Sequence, residues 1–301
     1  MQKSTSKFKN LKETIILLFL LAPIFIYAQP SIQWQKCYGG TKRENANEMT
    51  PTRDGGYIMI GQSKSNDGNV SGHHTGAGGT NTDIDIWIVK TDSLGAIQWQ
   101  KSFGGTDTDI GTSIKQTNDS GYIFLGATIS VDGDVIGNHG NYDAWLVKLD
   151  KSGNIQWQKC LGGSSGEFAR TIEITPDSGY VIGGVANSND GDVSGEHGLQ
   201  DIWIVKVDMN GNIQWQKCLG GSQTDGPPGL AFNSGNPQRI SICLTSDGGY
   251  FIGSTSTSID GDVTGHHGPG GLVTTGGSSH LDSDYWVIKL DNAGALQWQK
   301  S

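Results

Sequence analysis

Proline is scarce, 8 in 301 residues, and charged side chains make up only 17%. A disordered, charge-swollen chain is therefore excluded, because such chains replace apolar residues with charge and proline. Positive charge is in deficit: 21 Lys and Arg face 30 Asp and Glu. That excludes a nucleic-acid surface, which needs a basic footprint to displace counterions from phosphate. Past residue 28 no apolar run approaches the length that spans a bilayer. Cysteine is sparse at four. The single Gly-x-Ser-x-Gly string, Gly162–Gly166, falls on a repeated Gly-Gly pair and so does not mark a nucleophile elbow, and no phosphate-cradling Gly-Lys loop or marked Ser-His-Asp set is present. Glycine is the one excess, with 46 residues, roughly double the ordinary ~7%. A Gly-X-Y period is missing, which excludes collagen.

What is present begins with a basic segment, Lys3, Lys7, Lys9 and Lys12, followed by an apolar run from Ile15 to Tyr27. The run is too short to span a ~30 Å hydrocarbon core comfortably, and Ala28-Gln29 is a plausible cleavage site, so residues 1–28 read as a secretory signal peptide. An N-terminal membrane anchor is the alternative. Residues 29–301 then carry a net charge of −12, as four lysines and one glutamate leave with the signal. The mature protein is expected to be secreted or held at the cell surface, acidic, and not integral to the membrane.

The pentapeptide Ile/Leu-Gln-Trp-Gln-Lys begins at Ile32, Ile97, Ile155, Ile213 and Leu296. A Gly-Gly pair follows at Gly39, Gly104, Gly162 and Gly220, then an apolar residue (Met49, Ile114, Ile172, Ile242) eight positions before a tyrosine. Each tyrosine (Tyr57, Tyr122, Tyr180, Tyr250) follows Asp-Gly-Gly or Asp-Ser-Gly, a hairpin signal between β-rich runs. A polar, Gly-rich loop leads to Asp-x-Trp at Trp87, Trp145, Trp203 and Trp286, and a second tight turn returns to the next pentapeptide. Each unit therefore predicts four strands in a meander, A to D. Tandem four-stranded units are the signature of a β-propeller. The fold class is all-β, a β-propeller of four-stranded antiparallel blades with about four blades present. A β-sandwich is the alternative, but it leaves the period unexplained. The repeats run 31–96, 97–154, 155–212 and 213–295, with the start of a fifth at 296–301. Five D strands against four A-B-C sets predict a piece of a longer array, with an unpaired edge at each end.

Insertions break the 58-residue period in the D–A and B–C connections, while the A–B and C–D turns keep their length. In a meander alternate connections share an edge, so both variable loops must lie on one face, where binding concentrates.

On that face the B–C loops carry Asp132-Gly133-Asp134, Asp190-Gly191-Asp192 and Asp260-Gly261-Asp262, with Asp67-Gly68-Asn69 in the first unit. Asp85, Asp143, Asp201 and Asp284 precede the C-strand tryptophans, and Glu44, Asp109, Glu167 and Asp225 follow the Gly-Gly pairs. Closely spaced oxygens with a glycine at the sharp turn suit calcium, with Asp132, Asp134, Asp190, Asp192, Asp260, Asp262, Asp143, Asp201 and Asp284 as candidate ligands. Asx turns and strand caps explain the same residues without a metal. The Gly-x-His histidines (His73, His74, His139, His197, His266, His267) recur, which favours a loop hydrogen bond over a single catalytic base, and no cluster suits zinc. Cys37, Cys160 and Cys218 occupy one repeat position, too far apart for bridging, and with Cys243 read as buried free thiols. Trp residues read as interblade packing. A glycosidase would need two carboxylates ~5–9 Å apart, and no pair stands out from the repeats, so no catalytic residue is assigned. The non-repeated Arg170, Arg239, His280 and Asp282 are the residues a unique chemistry would use.

These motifs resemble a secreted β-propeller-type repeat of Bacteroidetes extracellular proteins: Asp-Gly-Gly-Tyr-Ile, Ser-x-Asp-Gly-Asp-Val-x-Gly-x-His-Gly, Asp-x-Trp-x-Val-Lys-Leu-Asp and Gly-Asn-Ile-Gln-Trp-Gln-Lys. The likeness covers residues 31–301. It implies a secreted or surface propeller, often cargo of a type IX secretion system, although the sorting domain usual at the C-terminus is missing here. It also carries a weak hint of endoglucanase activity. The function expected is a binding or adhesion scaffold for an extracellular polysaccharide or protein. The alternatives are a polysaccharide-degrading glycoside hydrolase and a purely structural segment.

Overall fold

The computed structural model describes residues 31–75, 83–227, 240–275 and 278–301. The predicted signal segment 1–28 lies outside these residues. From Lys36 onward the chain forms one compact unit of four antiparallel four-stranded sheets, each in the meander order expected. The first blade comprises β1 (Glu44–Pro51), β2 (Tyr57–Ser63), β3 (Asp85–Thr91) and β4 (Ile97–Phe103). The second has β5 (Asp109–Gln116), β6 (Tyr122–Thr128), β7 (Asp143–Leu149) and β8 (Ile155–Leu161), and the third β9 (Glu167–Ile174), β10 (Tyr180–Ala186), β11 (Asp201–Val207) and β12 (Ile213–Leu219). In the fourth, β13 (Ser241–Leu244) and β14 (Tyr250–Ser256) are followed by a separate hairpin, β15 (Leu272–Thr275) and β16 (Ser278–Leu281). The blade then closes with β17 (Asp284–Leu290) and β18 (Leu296–Lys300). The all-β propeller-blade architecture is thus present. Among the described residues no helix is long and apolar enough to cross a membrane.

The Gln-Trp-Gln-Lys motif acquires a physical reason at each letter. Side chains alternate faces along a strand, so both glutamines of a D strand turn towards their own blade and the tryptophan away from it. The first glutamine accepts a hydrogen bond from a buried lysine: Lys148 Nζ donates to Gln156 Oε1 at 3.0 Å and to Asp119 Oδ2 at 2.8 Å. Lys90 and Lys206 repeat that arrangement. The second glutamine accepts from the C-strand indole, as Trp145 Nε1 does to Gln158 Oε1 at 2.6 Å, and Trp87, Trp203 and Trp286 do likewise. The D-strand tryptophan meets the tyrosine of the next blade. Trp99 lies 5.7 Å from Tyr122, Trp157 6.3 Å from Tyr180 and Trp215 5.5 Å from Tyr250, centroid to centroid. Interblade packing of the aromatics is therefore as expected, each ring pair worth ~0.5–1.5 kcal/mol beyond its buried area.

The A–B turns hold the lysines in place. A side chain at Gly121 would strike Lys148 Nζ and the Leu149 carbonyl, and the same holds at Gly56, Gly179 and Gly249, so the residue before each tyrosine is glycine. Hydrogen bonds from Lys90 and Thr52 hold Asp54 at about 2. Burial pushes Asp119 and Asp177 up, but the bonds from Lys148 and Lys206 outweigh it and hold both at about 2. The A strands lie innermost, β5 against β1 and β9, and β9 against β13. There Lys115 Nζ pairs with Glu48 at 3.3 Å and Glu173 at 3.1 Å, tying three blades together.

Three expectations need correction. The first pentapeptide, Ile32–Lys36, forms no strand, because among the described residues no C strand pairs with it to complete a ladder. The four cysteines are unbridged, but only Cys160 and Cys218 are buried. Those two lie on D strands opposite Trp145 and Trp203, and burial pushes both thiols up to about 12. Cys37 precedes the first strand and Cys243 sits on the four-residue β13, and both are exposed.

Candidate functional site

The D–A and B–C loops do share one face, because they bond each other in every blade. In the second, the Asp134 N–H donates to the Gly104 carbonyl at 2.8 Å, and Thr106 N donates to Asp132 Oδ1 at 2.8 Å. Equivalent bonds run from Thr41 to Asp67, Ser164 to Asp190 and Ser222 to Asp260. The second carboxylate of each motif accepts more weakly, Asp134, Asp192 and Asp262 from the Gly104, Gly162 and Gly220 N–H groups at 3.3–3.4 Å. The glycine between them takes a left-handed φ of 62–64° and sits on the Gly-Gly backbone, so only glycine fits there. Asp-Gly-Asp is thus a latch between two loops.

The histidines belong to the same device. Nδ1 of His74, His139, His197 and His267 lies 2.7–2.8 Å from Oδ2 of Asp85, Asp143, Asp201 and Asp284, and each histidine N–H donates to the same oxygen. The recurrence therefore marks a loop hydrogen bond, as expected. Asp85, Asp143 and Asp201 are fully buried, and their Oδ1 atoms have no hydrogen-bond partner. Each faces an acidic residue of the next blade. A methyl at Gly162 would touch Asp143 Oδ1 and Glu167 Oε2 together, and at Gly220 it would touch Asp201 Oδ1 and Asp225 Oδ2. Glu167 accepts from Gly163 N at 2.8 Å, and Asp225 from Gly221 N at 2.7 Å and from the Ser256 and Ser258 hydroxyls.

Burial raises all of these carboxyl groups: Asp109 and Asp201 to about 6, and Asp85, Asp143, Glu167 and Asp225 in the same direction. The facing carboxylate adds to the rise at Asp85 and Asp201, and Asp192 adds to it at Asp143. Asp284 marks the contrast. Its side chain is 25% exposed, and the hydrogen bond from His267 lowers its pKa instead.

The nine carboxylates singled out for calcium thus fall into two positions per blade, the loop latch and the blade junction. Among the described residues no three His, Cys, Asp or Glu side chains are gathered as ligands for one metal ion. Of the non-repeated residues, Arg170 sits in the bulge of β9, between Ala169 and Thr171. Asp282 accepts from Gly270 N at 3.1 Å at the base of the β15–β16 hairpin, and His280 pairs across that hairpin with Val273. Arg239 lies outside the described residues. Sequence reasoning missed the buried lysines and the pairing of carboxylates across junctions. A lysine recurring in every C strand, three residues past the tryptophan, was the available signal.

No protein-family model matches this sequence, and a search of curated proteins returns no match. The functional reading therefore rests on the repeat and its departures.

Proposed function

We propose that the chain is an extracellular repeat scaffold that binds its ligand through the face carrying the D–A and B–C loops. One observation carries this: the A–B and C–D turns are uniform, whereas the fourth B–C connection builds its own hairpin, β15–β16, with Leu272 and Leu281 exposed. A variable appendage on a conserved frame is how loops acquire binding roles. The junction carboxylate pairs are sealed from solvent and cannot touch a substrate, which favours binding over hydrolysis. Export rests on residues 1–28, and the mature chain should begin at Gln29; retention of the segment in the secreted protein would overturn that part.

The test exchanges the fourth B–C connection, Gly268–Asp282, for the short loop of the third blade. Wild type and variant are then compared on immobilised glycan and extracellular-matrix protein arrays, with circular dichroism as the folding control. Loss of a wild-type signal in the folded variant is expected. Unchanged binding by this variant and by exchanges of the other variable loops would refute the scaffold reading.

A further inference from the structure

The third and fourth blades leave a cavity of about 390 Å³ between them, lined by Ser194, His197, Gln216, Lys217, Asp262 and Leu296, among others. That lies within the range of small-molecule sites, ~300–1,000 Å³. Its polar groups are pre-set but not saturated. Gln216 Oε1 accepts from Trp203 Nε1 at 2.9 Å, and its amide donates to the Ser194 carbonyl at 3.0 Å and hydroxyl oxygen at 2.6 Å. The Ser194 hydroxyl hydrogen remains to be donated. His197 uses Nδ1 on Asp201, which leaves Nε2. Asp262 has one long contact, from the Gly220 N–H at 3.4 Å. Lys217 is exposed and has no hydrogen-bond or ion-pair partner among the described residues.

The first junction shows how the equivalent lysine can be engaged. There Lys101 Nζ donates to Asn154 Oδ1 at 2.6 Å, and His74 Nε2 stands 3.7 Å from Asp134 Oδ2. At the second, Lys159 lies along Gly211, beside Asn212. At the third, the residue in the place of Asn154 is Ala295, and the amide that would engage Lys217 is gone.

We propose that this cleft binds a neutral, polyhydroxylated ligand, the terminal residue of a sugar chain. One lysine and one aspartate balance, so no ionic ligand is needed to neutralise the site. Adjacent hydroxyls can donate to Asp262 and accept from Lys217 and Ser194. Leu219 and Leu296 offer an apolar wall to the C–H face of a ring. The site's role rests on the scaffold reading, whose ligand class it specifies.

The test is titration of the isotopically labelled mature chain with the methyl glycosides of glucose, galactose and mannose, with glucuronate and inorganic phosphate as ionic probes. At least one glycoside should shift the Ser194, Lys217 and Leu296 amides saturably. Lys217→Met and Asp262→Asn should each weaken it tenfold or more, with unchanged circular dichroism. Ala295→Asn should weaken binding by engaging Lys217 as Asn154 engages Lys101. Failure of all three glycosides, binding of the ionic probes alone, or full affinity in Lys217→Met would overturn the assignment. If glycosides fail here while the hairpin exchange still removes array binding, the cleft assignment falls and the scaffold reading stands.

Discussion

Replacing Asp201 by asparagine should stabilise the protein at alkaline pH and leave it nearly unchanged at pH 4. Asp201 is fully buried between the third and fourth blades. Its Oδ2 accepts from the His197 N–H at 3.1 Å and faces Nδ1 at 2.7 Å, while Oδ1 has no partner and looks towards Asp225. Burial pushes its pKa up to about 6, against ~3.9 in an unfolded chain. The folded-state value is thus raised. The stability linked to this group is fully present below pH ~4 and is lost as pH rises through about 6. Two units correspond to about 3 kcal/mol at pH 8. An asparagine keeps an acceptor for His197, stays neutral throughout, and places an N–H donor where the orphan oxygen meets Asp225.

At ~2–4 °C per kcal/mol for a chain of this size, Asp201→Asn should raise Tm by roughly 6–12 °C at pH 8. At pH 4 both proteins carry a neutral group, and their melting temperatures should agree to within a degree or two. Wild type itself should melt lower at pH 8 than at pH 5, since Asp85, Asp109 and Asp143 shift in the same direction. The lysine-bound Asp54, Asp119 and Asp177, at about 2, do not titrate in that window. Thermal unfolding followed by circular dichroism decides the matter. An equal loss of stability at both pH values would mean that the charge itself supports the junction, and would refute the reasoning.

Trp157→Ala removes the ring against Tyr180 and should destabilise by about 2 kcal/mol or more. Trp298→Ala should stay within ~1 kcal/mol, because Trp298 is 45% exposed and its aromatic partner, Phe251, belongs to its own blade; urea denaturation compares the two, and equal losses would contradict the junction account. Ser120 and Ser178 hold φ of 68° and 66° where Gly55 and Gly248 stand in the other blades. Ser120→Gly should therefore gain a few tenths to ~1 kcal/mol by relieving left-handed strain, and a measured loss would count against it. Millimolar calcium should leave Tm unchanged, since Asp132, Asp190 and Asp260 already accept backbone N–H groups of the Gly-Gly loops; a rise of several degrees, reversed by chelator, would place a cation on that face.

Strand order was legible because the hairpin signals and the period-2 runs agree at every repeat. The sharing of one face by the D–A and B–C loops followed from meander geometry alone. The junctions were not legible. Asp143 and Glu167 are 24 positions apart in sequence, and only the stacking of one blade on the next brings them together. Nor could the buried state of Lys148 be read, since strand alternation predicts which face it takes but not that Asp119 and Gln156 arrive to receive its charge. The fate of Cys37 and Cys243 depended on whether a neighbouring element covers them, which no local pattern encodes.

Repetition itself sorts structure from function in this chain. A residue present in all four blades has the same task in each, and the bonds of Asp132, His139, Trp145 and Lys148 all act within the frame. Such residues are poor candidates for a unique site, however reactive their type. The informative positions are those where one blade departs from the others. Ala295 withdraws an amide and frees Lys217. Asp284 is partly exposed, and its pKa shifts in the opposite direction to that of Asp201. The β15–β16 hairpin has no counterpart in the second or third blade. All three departures fall in the fourth blade, so ligand specificity should follow that blade when blades are exchanged, while stability should follow the junctions.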